Sequence, residues 1–264
     1  MTLFSRLVDD AGLFPPEELP MAAALTRHHE DAANSSLVLT GRFLCAAARL
    51  PELLDHLAPD DHLALGLIVP LDHASLDHSL ATIDAEPRIE LAVVEGPAKD
   101  LDALPGIPDG VPCHVETPRG DLAAVERVGA AGYGVKVRCG GVRAELFPSA
   151  DELGAFIATC VRAGAPFKAT AGLHHALPYR DAQTGFTHHG FLNLLLATCR
   201  AVDGASEARV VDVIASTDRD ALVAEAQSVD DDLARRARRM FVAYGSCSTR
   251  EPIDDLTELG LLPS

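Results

Sequence analysis

The sequence predicts a single (β/α)8 barrel, and three observations predict it. The chain has 264 residues, a length typical of one such barrel. Short apolar runs alternate along it with amphipathic Ala- and Leu-rich segments, the order that parallel pairing through right-handed crossovers requires. The same units also fit an open doubly wound sheet, but no GxGxxG follows the first strand, and eight units fit closure.

The first strand is expected at Ala11–Phe14, a run without β-branched residues. The others are expected at Leu37–Phe43, Leu63–Val69, Ile89–Glu95, Val111–Glu116, Gly134–Arg138, Pro166–Ala171 and Met240–Tyr244. Between them, Leu50–Leu57, Asp121–Ala130 and Ala150–Ala163 have helical spacing. Ser149 suits an N-cap, because Asp151 and Glu152 place negative charge on the positive end of the helix dipole. Two stretches depart from the period. Residues 173–189 form a long polar connection holding four of the 11 histidines, and residues 205–239 contain additional helix before the last strand. No shift in composition marks a second domain.

Hydrophobic residues make up 48% of the chain, aromatics 5%, and Trp is absent, so the core is built mainly of Ala, Leu and Val. A formal charge of −17 and a pI near 4.9 repel nucleic acid and anionic lipid, and neither is expected as a partner. A small-molecule substrate is expected instead, and a few inward arginines suffice to make a local site for an anion. The six cysteines are scattered, without a CxxC pair, and read as reduced thiols. No apolar stretch has the length of a membrane span or signal core, and a cytoplasmic location is expected. The sequence leaves a homo-oligomer open.

Strand C-termini face the catalytic mouth of such a barrel. Polar residues fall there in number: Asp9 and Asp10 near the first strand, Arg42 after the second, Glu95 after the fourth, Glu116 after the fifth. Lys136 and Arg138 lie on the sixth, Lys168 and Thr170 on the seventh, and Ser246 after the eighth. Only Lys99, Lys136 and Lys168 among the 22 basic residues are lysines, and two of these three lie inside strands. An amine can lose its proton near neutrality where a guanidinium cannot, and the free amine attacks a carbonyl to form an imine. A second ammonium on the adjacent strand penalises the charged form of the first. The plainer reading is that each lysine pairs with Glu95 or Glu116 and serves only as an anchor or an anion contact.

Four strand ends resemble those of the deoxyribose-phosphate aldolase group of class I aldolases. His114-Val115-Glu116-Thr117 is similar to its fifth-strand I-E-T. Val135-Lys136-Val137-Arg138-Cys139-Gly140 is similar to its sixth-strand K-T-S-T-G, and Phe167-Lys168-Ala169-Thr170-Ala171-Gly172 to its seventh-strand K-A-S-G-G. Tyr244-Gly245-Ser246-Cys247-Ser248 is similar to its closing G-T-S-S. The resemblance covers roughly the C-terminal half. It implies a lyase that needs no cofactor, with Lys136 as the Schiff-base lysine and Lys168 as its neighbouring ammonium. It also implies a proton-relay acid from an earlier strand, Glu95 or Asp10, and substrate contacts from Gly245 and Ser246. Val137, Arg138 and Cys139 replace the family's small hydroxyl residues, and Ala171-Gly172 replaces its double glycine. These departures point away from a phosphorylated substrate and toward a carboxylate gripped by Arg138.

The histidine pairs invite other readings. His28-His29 is expected at a helix end as a solvated pair, whereas His174 and His189 bracket the long loop and are candidates for substrate contact or acid–base work. No HExxH or comparable ligand spacing occurs, so no metal site is assigned. Cys139 and Cys247 read as buried structural thiols. Two further functions are compatible with the same barrel. One is a metal-assisted isomerase or hydrolase using His174, His189, Glu116 and Glu95; the other is a non-catalytic barrel holding an anion on the two lysines and Arg138.

Overall fold

Seven of the eight runs expected to be strands close, with a first strand placed earlier than expected, into one all-parallel barrel in the computed structural model, which describes residues 3–262. In chain order the elements are β1 (Val8–Asp10), α1 (Met21–Asn34), β2 (Leu39–Ala46), α2 (Leu50–His56), β3 (Leu63–Ile68), α3 (His73–Asp84) and β4 (Ile89–Pro97). There follow β5 (Cys113–Glu116), α4 (Leu122–Ala130), β6 (Gly134–Arg138), α5 (Ala150–Ala163) and β7 (Phe167–Thr170). A two-stranded antiparallel hairpin, β8 (Tyr179–Arg180) and β9 (Thr187–His188), occupies the long polar connection. Then come α6 (Phe191–Val202), α7 (Glu207–Ala215), α8 (Arg219–Ser228), α9 (Asp231–Met240), β10 (Phe241–Ser246) and α10 (Arg250–Glu258). The barrel runs β1 through β7 in sequence, and β10 closes it between β7 and β1.

Two boundaries differ from the sequence expectation in ways that matter for the site. The first strand lies at Val8–Asp10, not Ala11–Phe14, because Val8, Asp9 and Asp10 pair with Tyr244, Gly245 and Ser246 of β10. The second strand continues to Ala46, pairing residue by residue with β3 as far as Ile68, so Arg42 sits inside it and not at its end.

Helix α6 explains the additional helices. Its run from Phe191 to Cys199 is buried on every side, and a helix apolar all round needs partners beyond the barrel wall. The segment α7–α9 supplies that second layer, and Asn193 reaches from α6 to donate to the terminal carbonyls of α7 at Val213 and Ser216, 2.8 Å each. Ser149 caps α5 as expected, in a reciprocal box with Glu152 that satisfies two otherwise orphaned N–H groups. The strands' outer faces pack apolar against the helices. Phe167 of β7 stacks on Phe241 of β10 with ring centroids 5.0 Å apart, and Phe156 of α5 meets Phe167 edge-on at 5.4 Å. No helix among the described residues is long and apolar enough to cross a membrane.

Candidate active site

Side chains alternate across a strand, so each barrel strand sends every second residue toward the axis. Here those positions carry charge. Lys136 of β6 is in register with Lys168 of β7, and Glu116 of β5 is in register with Lys136, which places the two amines side by side.

The result is a chain of alternating charges along the barrel. Arg42 Nε donates to Asp9 Oδ1 at 2.7 Å, and Lys168 Nζ donates both to Asp9 Oδ2 and to Glu95 Oε1. The other oxygen of Glu95 lies 3.1 Å from Lys136 Nζ, whose next carboxylate, Glu116, is 3.8 Å away. Glu116 in turn meets Arg138 Nε at 3.3 Å. Asp9, Glu95, Lys136 and Lys168 are each at least 96% buried, a depth at which unpaired charges cost several kcal/mol each. Pairing answers that cost. Burial alone raises the Asp9 carboxyl, but Lys168 and Arg42 outweigh it and hold the group below its ordinary value. Glu95 follows the same pattern: burial raises it, and Lys168 and Lys136 together drive it well below the carboxylate range. Both are therefore carboxylates at neutral pH.

The chain contains four cations, Arg42, Lys168, Lys136 and Arg138, and three carboxylates, Asp9, Glu95 and Glu116. Fully ionised, it carries one excess positive charge inside an acidic protein. Loss of one ammonium proton, or capture of one monoanion, neutralises it.

At the C-terminal end of the strands the barrel opens into a cavity of about 250 Å³, lined by Glu116, Lys136, Arg138, Thr170, His174, Gly245 and Ser246. Phe14, Leu44, Ile68 and Leu173 form its apolar wall. Lys136 reaches this space, and Lys168 lies beneath it among carboxylates. Gly245 packs its backbone closely against Leu44, whose Cδ1 a Cβ there would meet at 3.1 Å. Gly140 and Gly172, which end the turns after β6 and β7, pack against each other so closely that a Cβ on either would meet the other's Cα at 2.8 Å. These glycines serve close packing of two turns.

Three expected site residues lie elsewhere. Asp10 points out of the barrel toward α1, where it accepts from Arg27 at 2.5 Å and from the Gly12 N–H at 2.9 Å, with His28 Nδ1 at 3.1 Å. Asp9, its neighbour, is the inward one. Arg42 lies away from the mouth, below Asp9, where its side chain borders a second cavity at the N-terminal ends of the strands. His189 is turned away by the β8–β9 hairpin, and its Nε2 pairs with the Pro148 carbonyl at 2.7 Å. The expected surface pair is also corrected: His28 and His29 lie within α1, and His28 is 8% exposed, packed edge-on against Phe43. Asp10→Ala is expected to lower stability by about 1.5–3 kcal/mol, the range for charge-assisted hydrogen bonds, without moving the charged groups around Lys136. Urea unfolding checks the first half of that statement.

Two residues not assigned to the site from sequence belong to its surroundings. His114 is inward on β5, two residues before Glu116, a spacing that was readable as alternation. Burial, with Lys168 adding to it, pushes this imidazole down to about 3, so it is neutral. Cys247, at the cavity wall, has its Sγ 3.7 Å from His174 Nδ1, a pairing across 73 residues that no local pattern announces. All six cysteines are free and buried, and burial pushes the Cys247 thiol up. The residues of the metal-assisted alternative do not converge: His189 lies on Pro148, and Glu95 and Glu116 are engaged with the lysines and Arg138. Among the described residues no group of three His, Cys, Asp or Glu side chains is placed to hold a metal ion. No protein-family model and no curated protein matches this chain.

Proposed function

We propose that the mouth of this barrel cleaves or forms a carbon–carbon bond in a small, oxygenated, anionic metabolite through an imine on Lys136. The observation that carries this reading is the asymmetry of the amine pair. Glu95 and Asp9 clamp Lys168 below the floor, while Lys136 lines the cavity beside it. A nucleophile needs access, and a fixed neighbouring ammonium needs none.

In the cleavage direction, Lys136 Nζ gives up a proton and attacks the substrate carbonyl, and loss of water leaves an iminium. As the hydroxyl on the far side of the scissile bond gives up its proton and becomes a carbonyl, the carbon–carbon bond breaks, that fragment leaves as an aldehyde or ketone, and the bond's electrons flow into the C=N. The enamine so formed is protonated at carbon and hydrolysed to free the amine and the second carbonyl product. Glu95 already serves two ammoniums and is held well below the ordinary carboxylate range, so it is a poor proton acceptor. Glu116, at the cavity edge, is the carboxylate positioned to take the proton from Lys136. The excess positive charge and the 42% exposed side chain of Arg138 favour an anion, and its planar fork suits a carboxylate. A cavity of about 250 Å³ is smaller than the roughly 300–1,000 Å³ of drug-sized ligand sites, which restricts it to small metabolites.

Borohydride reduction in the presence of carbonyl metabolites, followed by peptide mass mapping, tests this directly. The expected product is a secondary amine on Lys136. Turnover of a substrate without an adduct on Lys136 or Lys168 excludes the covalent route, and saturable anion binding without turnover favours the anion-holding barrel.

A further inference from the structure

Imine chemistry at Lys136 requires a second group that moves a proton at the substrate carbon next to the imine. The titratable side chains that line the cavity are Glu116, Lys136, Arg138, His174 and Cys247. Lys136 is the nucleophile, Arg138 has no lone pair to offer at neutral pH, and Glu116 lies between the two. Burial closes the thiol of Cys247 as a base. That leaves the imidazole.

The fold holds His174 at the mouth by an unusual turn. Ala171 and Gly172, directly after β7, both have positive φ, 59° and 72°, and Ala171 accepts a conformation that favours glycine. The turn is held from two sides: Cys139 N–H donates to the Thr170 carbonyl at 2.8 Å, and His188 Nδ1 donates to the Gly172 carbonyl at 3.0 Å. It delivers Leu173 and His174 to the cavity wall.

The ring turns its Nδ1 edge toward two neighbours. His174 Nδ1 lies 3.7 Å from Cys247 Sγ and 3.7 Å from Oε2 of Glu251, in the first turn of α10. That Oε2 is buried and has no hydrogen-bond partner. In the tautomer that carries its proton on Nδ1, that proton faces both the sulfur and the carboxylate oxygen, and Nε2 keeps its lone pair. Burial, reinforced by His188 and His175, pushes the imidazole down to about 4, so the ring is in its basic, uncharged form at neutral pH.

We infer that His174 Nε2 is the base that removes and returns the proton on the substrate carbon adjacent to the Lys136 imine, with Glu251 and Cys247 acting as positioning residues. The inference rests on the imine reading above. In the step itself, the C–H bond breaks, its electron pair becomes the enamine C=C, and the C=N electrons settle on nitrogen. The proton goes to Nε2, and the imidazolium so formed faces the Glu251 carboxylate. The reverse step protonates the enamine after bond cleavage.

Pyruvate and acetaldehyde, each with a methyl group next to a carbonyl, serve as probes. Methyl proton exchange in D2O is followed by proton NMR, and borohydride adducts are mapped in parallel. The wild-type protein is expected to form the Lys136 adduct and to exchange the methyl protons. His174→Gln is expected to keep the adduct and lose about 100-fold in exchange rate, the lower end for a general base. Glu251→Gln, a change nearer the surface, is expected to keep the adduct and lose about tenfold, the lower end for removing a group that orients a functional histidine. Exchange within twofold of wild type in His174→Gln, with the adduct intact, overturns the assignment, as does loss of the adduct itself in that variant while Glu251→Gln behaves as wild type. Absence of any adduct in the wild-type protein with both probes overturns the imine reading, and the inference with it.

Discussion

Lys168→Met is expected to be the most destabilising of the single substitutions along the barrel axis, lowering the unfolding free energy by about 3–5 kcal/mol, the range for removing one partner of a buried ion pair. Lys168 is 1% exposed, and its one ammonium stands between the carboxylates of Asp9 and Glu95. Without it, Asp9 keeps Arg42 and the Thr40 hydroxyl, Glu95 keeps Lys136, and the two buried anions lose the ammonium between them. Lys136→Met is the internal control. Removing Lys136 leaves Glu95 bonded to Lys168 and Glu116 beside Arg138, so its cost is smaller by at least about 1–2 kcal/mol. Urea unfolding of the two variants compares them on the same scale.

The pH dependence of that difference carries a sign. Asp9 and Glu95 both have folded-state values below their ordinary 3.8 and 4.5, so each contributes stability that is present above those values and lost as pH falls through the depressed folded ones. In Lys168→Met the same carboxylates lose their principal counter-charge. Burial then raises them, and acid relieves the resulting repulsion. The gap between wild type and variant is therefore expected to narrow on acidification from pH 7 toward 4. A gap that stays constant or widens means that the axial groups are not ionised as the distances imply.

Much of this site was legible because a strand has a period of two. Once Gly134–Arg138 and residues 166–171 read as neighbouring parallel strands, alternation put Lys136 with Arg138 and Lys168 with Thr170 on inward faces, as the register shows. The same rule failed at the first strand for a local reason. Val8-Asp9-Asp10 offers two adjacent carboxylates and no apolar alternation to decide between them, so parity was lost and Asp10 stood in for Asp9. At Arg42 the error was one of length: β2 runs four residues beyond it, to Ala46, and carries the mouth past it. His28 was recoverable, since Met21, Ala24, Leu25 and His28 follow the i, i+3, i+4, i+7 pattern of one buried helix face. Other contacts were out of reach. His174 meets Cys247 and Glu251 only because a left-handed turn after β7 and the start of α10 converge at the mouth, and nothing in the local composition of either segment encodes the other.

Lys136→Met is expected to abolish turnover, with a loss of at least about 10⁴-fold in kcat, the scale on which removing a covalent nucleophile acts. That alone does not separate a nucleophile from a cation that holds the substrate, because methionine removes both. Lys136→Arg does. It keeps a positive charge beside Glu95 and Glu116, preserving the alternation along the axis, but a guanidinium cannot form the imine. If Lys136 acts through its amine, the arginine variant binds an anionic substrate or product with wild-type strength, measured by calorimetry, yet shows no turnover and no borohydride adduct. If the lysine serves only to hold an anion, the arginine variant retains most of the function. Circular dichroism of both variants, 4% exposed as the native side chain is, establishes that the barrel has formed before either comparison is made.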